Sequence, residues 1–394
     1  MDIRPALGQS LPSEPTLIQV VDGSSATRGW AVYQPRGRIR ARVFHRGPEP
    51  LPWNGTTARH LLGLALDRRR SIPGALPPDP TTMGWRLVFA EADFLPGLVM
   101  DVFGPVLVAQ VNSAASEMVI RELVQHATEL LPHLHTAVIR RDSPAREAED
   151  LPIHQSSGWH SLGSHQEATA EGLRQPIPVR MDGGSVLLAD VSSGQKTGLF
   201  LDQRLNRQLV APLARGRTVL DMHCHVGGWS LALLAAGAQA ALGVDASSQA
   251  VELARQSAVL PANQPFGRHA QFEHGDDSEW LKAAVEAGRK FEVVIIDPPA
   301  LAKANRHVPA ALRNHTSLAR HALRLIPPGG FLVHACCSQA ISPQQLDEAL
   351  IDAAGREGIS VHLIQRLSQP PDHPILLGHP ASEYLKGVVL RRSG

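Results

Sequence analysis

Three cysteines in 394 residues, Cys224, Cys336 and Cys337, are too few for a disulfide framework, and their scarcity points to a reducing compartment, the cytoplasm. Net charge is missing as well: 38 Lys and Arg stand against 37 Asp and Glu, a formal +1. A nucleic-acid partner would have to be held by local basic patches, because there is no global positive field to attract it. Long apolar runs are absent. Even Leu231–Val244 falls short of a bilayer span and contains Gln239, so no membrane partner is expected. The opening residues M-D-I-R-P-A-L-G-Q-S-L-P-S-E-P lack an apolar signal core and read as a flexible lead-in over 1–14. The G-x-G-x-x-G spacing that cradles a pyrophosphate is also absent, which argues against a dinucleotide cofactor.

What is present suits a globular protein with sizeable cores: 43% of residues are hydrophobic and 19% charged, and the length predicts two or three domains. Short strands are expected within 15–54, at L-I-Q-V-V-D, W-A-V-Y and R-I-R-A-R-V-F. In the last of these, Arg38, Arg40 and Arg42 alternate with Ile39, Ala41 and Val43. At strand period that places the guanidinium groups on one face, either offered to phosphates or simply solvated. Residues 55–178 read as an α+β region. It has a helix at A-R-H-L-L-G-L-A-L-D-R-R-R, a strand at W-R-L-V-F-A, a hairpin turning at Phe103–Pro105, and a helix at S-E-M-V-I-R-E-L-V-Q-H-A-T-E-L-L. The polar stretch 142–175 reads as loops and a linker.

From about residue 179 onward strands and helices alternate. Strands are expected at Thr218–Met222, Ala241–Asp245, Ala270–His274, Phe291–Asp297, Gly330–Ala335, Val361–Leu367 and Gly387–Arg391. This pattern predicts an α/β fold with a mostly parallel sheet covered by helices on both faces. Ligands of such sheets bind outside the carboxyl ends of the strands. Asp221, Asp245, Asp276, Asp297 and the Cys336–Cys337 pair all fall at or just after predicted strand ends. The most telling stretch is V-L-D-M-H-C-H-V-G-G-W-S, Val219–Ser230. An apolar strand ends in an acid, turns through Gly227 and Gly228, and enters an apolar helix; the next strand ends in Asp245. The glycines allow close approach of a ligand, and Asp245 can accept two ribose hydroxyls. A nucleoside ligand without a pyrophosphate fits this turn, and S-adenosylmethionine is such a ligand. In G-D-D-S-E-W, Asp276, with Asp277 as alternate, is placed to accept an adenine amino group; a helix N-cap is the competing role. Asp297 opens D-P-P, whose prolines remove two backbone donors and leave carbonyls free to face a base edge.

Together these signals resemble a class I S-adenosylmethionine-dependent methyltransferase, with a Rossmann-like, mostly parallel seven-stranded sheet. The resemblance narrows at Q-K-T-G-L-F-L-D-Q-R-L-N-R, residues 195–207, which is similar to the RlmI-type branch of bacterial ribosomal RNA (cytosine-C5) methyltransferases. It continues through D-P-P-A-L-A-K, P-P-D-H-P and Y-L-K-G-V, covering essentially residues 180–392 of a methyltransferase domain expected over 179–394, and A-E-A-D-F-L-P-G-L-V-M-D-V-F-G at 90–104 resembles that family's central domain. The family carries an amino-terminal PUA domain, an RNA-binding pseudo-barrel, to whose later part residues 15–54 would correspond. The resemblance implies S-adenosylmethionine as cofactor. Its pocket would be built from Phe200, Gln203, Arg204, Asp221, His223, Gly227, Gly228, Asp245, Asp276, Asp297 and Pro298, with Lys196 and Thr197 shaping the approach. Large-subunit ribosomal RNA is the implied partner, and a homodimer stays open.

V-H-A-C-C-S-Q, residues 333–339, matches the family's S-C-S segment and puts Cys337 at the cysteine position, with Cys336 as fallback. A thiolate adding to C6 of cytosine turns C5 into a carbon nucleophile, so Cys337 is expected to be the catalytic nucleophile, with Asp297 at the N3/N4 side of the ring. Packing of small apolar residues is the alternative for a Cys pair at a strand end. Two further readings are weighed: a guanine-N7 ribosomal RNA methyltransferase, whose relatives lack the cysteine, and a catalytically silent RNA-binding or ribosome-assembly protein. The histidines His223 and His225 depart from the aromatic and hydroxyl residues usual in this turn. Adjacent H-C-H and C-C side chains point apart, so no metal site is expected. His373 in D-H-P reads as a structural turn residue.

Overall fold

The computed structural model describes residues 10–154, 158–162 and 175–394, so most of the expected lead-in 1–14 and part of the expected linker 142–175 lie outside the described residues. The chain divides into two compact units.

The first unit comprises residues 1–177, 190–199 and 371–382. Strands β1 (Thr16–Val21), β2 (Thr27–Tyr33) and β3 (Ala41–Arg46) form an antiparallel sheet. The expected alternation of arginines along one strand is not what forms. Arg38 lies in a bend and Arg40 immediately before β3, and only Arg42 lies on the strand. Arg42 is not offered outward: it pairs with Glu149 at 2.7 Å and also with Glu91. Arg40 donates to the Tyr33 hydroxyl and to the Gln34 carbonyl.

Helix α1 (Gly55–Ser71) starts where the Asn54 side chain accepts from Thr57 N, and α2 (Ala114–Leu130) starts in a capping box between Ser113 and Ser116. Both helices pack on a five-stranded sheet of β4 (Gly84–Phe89), β5 (Leu98–Phe103), β6 (Val106–Val111), β7 (Thr136–Arg140) and β8 (Gly158–Ser161). The β5–β6 hairpin turns at Gly104 and Pro105, as the sequence predicts; β7 and β8 are additions to that reading. Val32, Phe44 and Trp53 share one buried cluster with Leu62, Leu66 and Trp85, so the amino-terminal strands help build the first unit's core.

The second unit holds residues 178–189, 200–370 and 383–394. Strands β9 (Ile177–Arg180) and β10 (Val186–Ala189) pair as a hairpin, and α3 (Arg204–Ala214) precedes the main sheet. The sheet is built from β11 (Thr218–Met222), β12 (Ala240–Asp245), β13 (Ala270–His274), β14 (Val293–Ile296), β15 (Phe331–Cys336), β16 (Val361–Ser368) and β17 (Lys386–Arg392). Its order is β13-β12-β11-β14-β15-β17-β16, with β17 antiparallel to both neighbours. Helices α4 (Gly228–Ala235), α5 (Ser248–Ala258), α6 (Gln264–Gly267), α7 (Asp277–Glu286), α8 (Val308–Leu325) and α9 (Pro343–Arg356) lie in the connections between strands.

This is the expected Rossmann-like α/β sheet. Its central strands are unbroken apolar runs because helices cover both faces. Val293, Val294, Ile295 and Ile296 have no exposed surface, and each contributes roughly 1.5–3 kcal/mol by burial. The strand order reverses between β11 and β14, and the carboxyl edge at such a reversal is where sheets of this kind bind ligands. No helix among the described residues is long and apolar enough to cross a membrane.

Candidate functional site

The turn after β11 places three residues at positive φ, His223 (63°), His225 (49°) and Gly227 (81°). Non-glycine residues hold the left-handed region only where neighbours fix them. Here Cys224 N donates to the Val244 carbonyl, His225 N to Asp245 Oδ2 at 2.8 Å, and Gly227 N to the Cys224 carbonyl. The His223 ring meets Asp277 Oδ2 at 2.8 Å, and that hydrogen bond holds the Asp277 carboxyl below its usual range. The His225 ring stands edge-on to Phe200, with centroids 4.9 Å apart.

The paired glycines prove to be packing requirements. A Cβ on Gly227 would lie 2.8 Å from the Phe272 ring, and one on Gly228 would lie 2.7 Å from Arg207 Nη2. Each has room for a hydrogen only. Asp245, at the end of β12, also accepts from Ser247 N at 2.8 Å, which fixes the carboxylate beside the turn. Asp276 is the N-cap of α7 and accepts from Ser278 N and Glu279 N; the capping role weighed from the sequence is the one its geometry displays.

Asp221 is wholly buried on β11. Its Oδ2 accepts from Ser230 N at 2.9 Å and from Ser230 Oγ at 2.7 Å, while Oδ1 has no partner. Burial raises its carboxyl to about 7. Arg207, on α3, lies against the same turn. Its Nη2 donates to the Phe200 carbonyl at 3.2 Å, and its Nε and Nη1 have no partner. Burial lowers the guanidinium's pKa, while Asp297, Asp202, Asp221 and Asp182 oppose that shift from a distance.

At the end of β14, Asp297 Oδ1 accepts from Gln203 Nε2 and Oδ2 from Trp229 Nε1, both at 3.0 Å. Asn206 in turn donates to Gln203 Oε1 at 2.6 Å, orienting the amide. Burial raises the Asp297 carboxyl. Arg204 is taken up by a buried ion pair with Asp182 at 2.9 Å. Thr197, in the first unit, donates its hydroxyl to Asp101.

The two adjacent cysteines have opposite environments. Cys336 is buried within the hydrophobic cluster, and desolvation pushes its thiol pKa up. Cys337 is half-buried, with Sγ 3.6 Å from the Pro298 carbonyl of D-P-P. The loops are tied together nearby, where Ala302 N donates to Ser338 Oγ at 3.0 Å. Lys386, opposite Cys336 in the β15–β17 register, donates to the Ser338 and Tyr384 carbonyls at 2.7 and 2.9 Å. Desolvation lowers its pKa and the nearby thiols of Cys336 and Cys337 oppose the shift, so the ammonium lies within electrostatic reach of both. Behind them His334 and His315 share a 2.9 Å hydrogen bond; burial holds both low, His315 at about 4, so both are neutral at pH 7. Among the described residues, no three His, Cys, Asp or Glu side chains gather as metal ligands would.

Of the residues expected from the sequence, Phe200, Gln203, Asp221, Gly227, Gly228, Asp245, Asp297, Pro298 and Cys337 are joined by these contacts at one edge of the sheet. Arg207, Trp229 and Lys386 are additions. The first and last lie in stretches whose family resemblance is visible, but the sequence alone assigns them no role. The unpartnered Asp221 Oδ1 at the glycine turn fits a ligand that brings a donor, and the fixed Asp245 carboxylate fits a ribose diol. The residues present therefore suit S-adenosylmethionine.

A family model described as S-adenosylmethionine-dependent methyltransferase matches residues 179–391. The chain is 34% identical over 384 residues to "Ribosomal RNA large subunit methyltransferase I" of Aeromonas hydrophila, covering 98% of this chain and 92% of that one. It is 32% identical over 385 residues to "Ribosomal RNA large subunit methyltransferase" of Deinococcus radiodurans, covering 97% and 90%. Among solved structures it resembles SMU.776, described as a methyltransferase complexed with SAH, at TM-score 0.78 and 19% identity, covering 97% and 92%. At that identity the likeness speaks for the fold. The resemblance read from K-T-G-L-F-L-D-Q-R and D-P-P is thereby borne out at the level of the family, whereas none of these comparisons supports the homodimer.

Proposed function

The chain belongs to the S-adenosylmethionine-dependent methyltransferase family, with S-adenosylmethionine as its cofactor, and from that premise we propose that it methylates C5 of a cytosine in large-subunit ribosomal RNA through a covalent adduct on Cys337. The observation that carries this reading is the contrast between the two thiols: Cys336 is sealed in the core, while Cys337 is reachable and lies beside the D-P-P carbonyl. The relatives named above are large-subunit ribosomal RNA methyltransferases, which supports the substrate class.

The target base has to leave its stack to reach a site of this kind. The Lys386 ammonium favours the thiolate form of Cys337 electrostatically. That thiolate forms a bond to C6, and the ring electrons move to C5. S-adenosylmethionine, when bound, would supply the electrophilic methyl group that C5 attacks, its sulfonium C–S bond breaking to give S-adenosylhomocysteine. A base then takes the C5 proton, the C5–C6 double bond reforms, and the Cys337 thiolate departs with the electron pair of its bond to C6. Asp297, held rigid by Gln203 and Trp229 and raised by burial, suits the N3/N4 edge of the ring, where it can accept from the exocyclic amine or share a proton with N3. Asp245 would hold the ribose, and Asp276 remains assigned to the adenine side through the carboxylate lone pairs its capping bonds leave over. The strands over 15–54 are read as the remnant of a PUA-like RNA-binding region, ahead of a central domain over 55–178 and the methyltransferase domain over 179–394.

The test is nucleoside mass spectrometry of ribosomal RNA incubated with the protein and labelled S-adenosylmethionine. Labelled 5-methylcytosine that disappears with Cys337→Ala is the expected result. Labelled 7-methylguanosine would establish the guanine reading, and absence of both label and cofactor binding would establish a silent RNA-binding protein.

A further inference from the structure

The formal charge of the whole chain is +1, yet residues 298–346 contain five Lys and Arg and no Asp or Glu. That stretch runs from the prolines after Asp297, through α8, to the first turn of α9, and it includes Cys337. Its five cations are Lys303, Arg306, Arg313, Arg320 and Arg324. Two of them are neutralised. Arg320 pairs with Glu357 at 2.7 Å, and Arg324 lies 3.8 Å from the same carboxylate. Lys303, Arg306 and Arg313 are exposed and have no ion pair among the described residues.

The division follows the fold. α8 starts at the carboxyl edge of the main sheet, where β14 ends, and runs back to the amino edge, where the parallel strand β15 begins. Arg320 and Arg324 lie in its last two turns; the three unpaired cations lie just before it and in its second turn. The loop that carries Lys303 is fixed beside the cysteine pair. Ala302, 4% exposed, donates its N–H to Ser338 Oγ at 3.0 Å, and Ser338 follows Cys337. Val308 is buried as well, so the five residues 303–307 are held at both ends. Arg306 turns Nε to His307 Nε2 at 3.1 Å, which leaves its terminal nitrogens outward. Across the α8–α9 groove from Arg313, Asp352 is taken by Arg356 at 2.8 Å, and Glu348 forms no ion pair with Arg313.

Clustered cations that no carboxylate neutralises repel one another, and a polyanion removes that cost. A base drawn out of its stack brings its own strand to the same edge of the sheet. Arg306 and Arg313 are seven residues apart, about 10 Å along a helix, a length that about three steps of a stacked strand cover. We propose that Lys303, Arg306 and Arg313 form a track for the backbone phosphates of the RNA strand beside the target nucleotide. Their contacts go to phosphates, so they fix the strand's position and carry no sequence preference. This inference rests on the RNA reading above and holds whichever base is methylated.

The test is the salt dependence of binding between the full chain and transcribed large-subunit ribosomal RNA. Each phosphate contact to a single strand adds about 0.7 to the slope of log affinity against log salt. Replacing all three cations, Lys303→Gln with Arg306→Gln and Arg313→Gln, is expected to lower that slope by about 2 and to weaken binding at least about tenfold at about 0.1 M salt. Affinity for S-adenosylhomocysteine should stay within about twofold, which reports an intact second unit. Arg306→Gln alone should lower the slope by about 0.7. Arg320→Gln with Arg324→Gln removes two cations that Glu357 already neutralises, and should leave the slope unchanged. A slope that survives the triple substitution, or that falls equally with Arg320→Gln and Arg324→Gln, would overturn the track while leaving the RNA reading in place. An unmodified chain that binds no RNA would overturn the RNA reading itself, and the track with it.

Discussion

Both units bury arginines near carboxylates, and they complete them differently. In the first unit Arg69 reaches both oxygens of Asp93, and Arg86 reaches both oxygens of Asp101 at 2.8 Å. Arg146 is shared among Glu117 and the Val111 and Pro152 carbonyls. Only Arg140 leaves one amino group without a partner there, among the described residues. In the second unit Arg204 reaches Asp182 through one oxygen and leaves Asp182 Oδ1 without a partner, while three residues away Arg207 forms no ion pair and leaves Nε and Nη1 unpaired, and Asp221 leaves Oδ1. A closed charge pair ties the fold together through both partners; an open one holds a charge whose removal leaves no counter-charge stranded.

The sharpest break is Cys337→Ala, which removes the one thiol of the 336–337 pair that is within reach of solvent. Methyl transfer should fall by at least about a thousandfold while S-adenosylhomocysteine affinity stays within twofold, as a nucleophile's removal requires. Paired melting curves separate the closed pairs from the open one. Arg86→Met leaves Asp101 buried without its bidentate partner and should cost about 3–5 kcal/mol. Arg207→Met removes a charge that had no ion pair, so without cofactor its stability should stay within about 1 kcal/mol of the unmodified chain, or above it. Equal losses from the two substitutions would erase the distinction between them.

Asp221 gives the distinction a pH signature. Its folded carboxyl lies at about 7, above the unfolded value of 3.8, so its contribution is fullest below the unfolded value and is lost as pH rises through 7. Linkage puts the loss between pH 6 and pH 8 at about 1.4 kcal/mol. Asp221→Asn should escape it, so the melting curves of the two proteins without cofactor should separate as pH rises over that window. Parallel curves would show that the carboxyl does not titrate there. A small effect is expected of Lys386→Met, which should slow iodoacetamide alkylation of Cys337 at pH 7 by about threefold, because a nearby cation favours the thiolate. An unchanged rate would remove Lys386 from the account of the nucleophile.

Much of the second unit was readable in advance. The strands at Thr218–Met222 and Ala270–His274 occur as the periodicity predicts, because unbroken apolar runs between helical stretches leave few alternatives. The carboxyl-edge cluster followed from strand ends alone. The amino-terminal sheet was less legible. Arg38–Ile39–Arg40 alternates like a strand, yet that segment bends, and Arg42 is drawn into pairs with Glu91 and Glu149, more than forty residues away in sequence. Periodicity cannot register such distant partners. The same reason hid Arg207: an arginine in Q-R-L-N-R looks like its neighbour Arg204, and only the folded arrangement distinguishes the paired one from the unpaired one. The glycine turn stands where the sequence places it, and its glycines also make room for Phe272 and Arg207.

Whether Cys337 carries the base during transfer is decided by mass spectrometry of nucleosides from ribosomal RNA treated with the unmodified protein and with Cys337→Ala, each given labelled S-adenosylmethionine. Labelled 5-methylcytosine is expected with the first and none with the second. Label on guanine, or undiminished 5-methylcytosine from Cys337→Ala, would contradict that role.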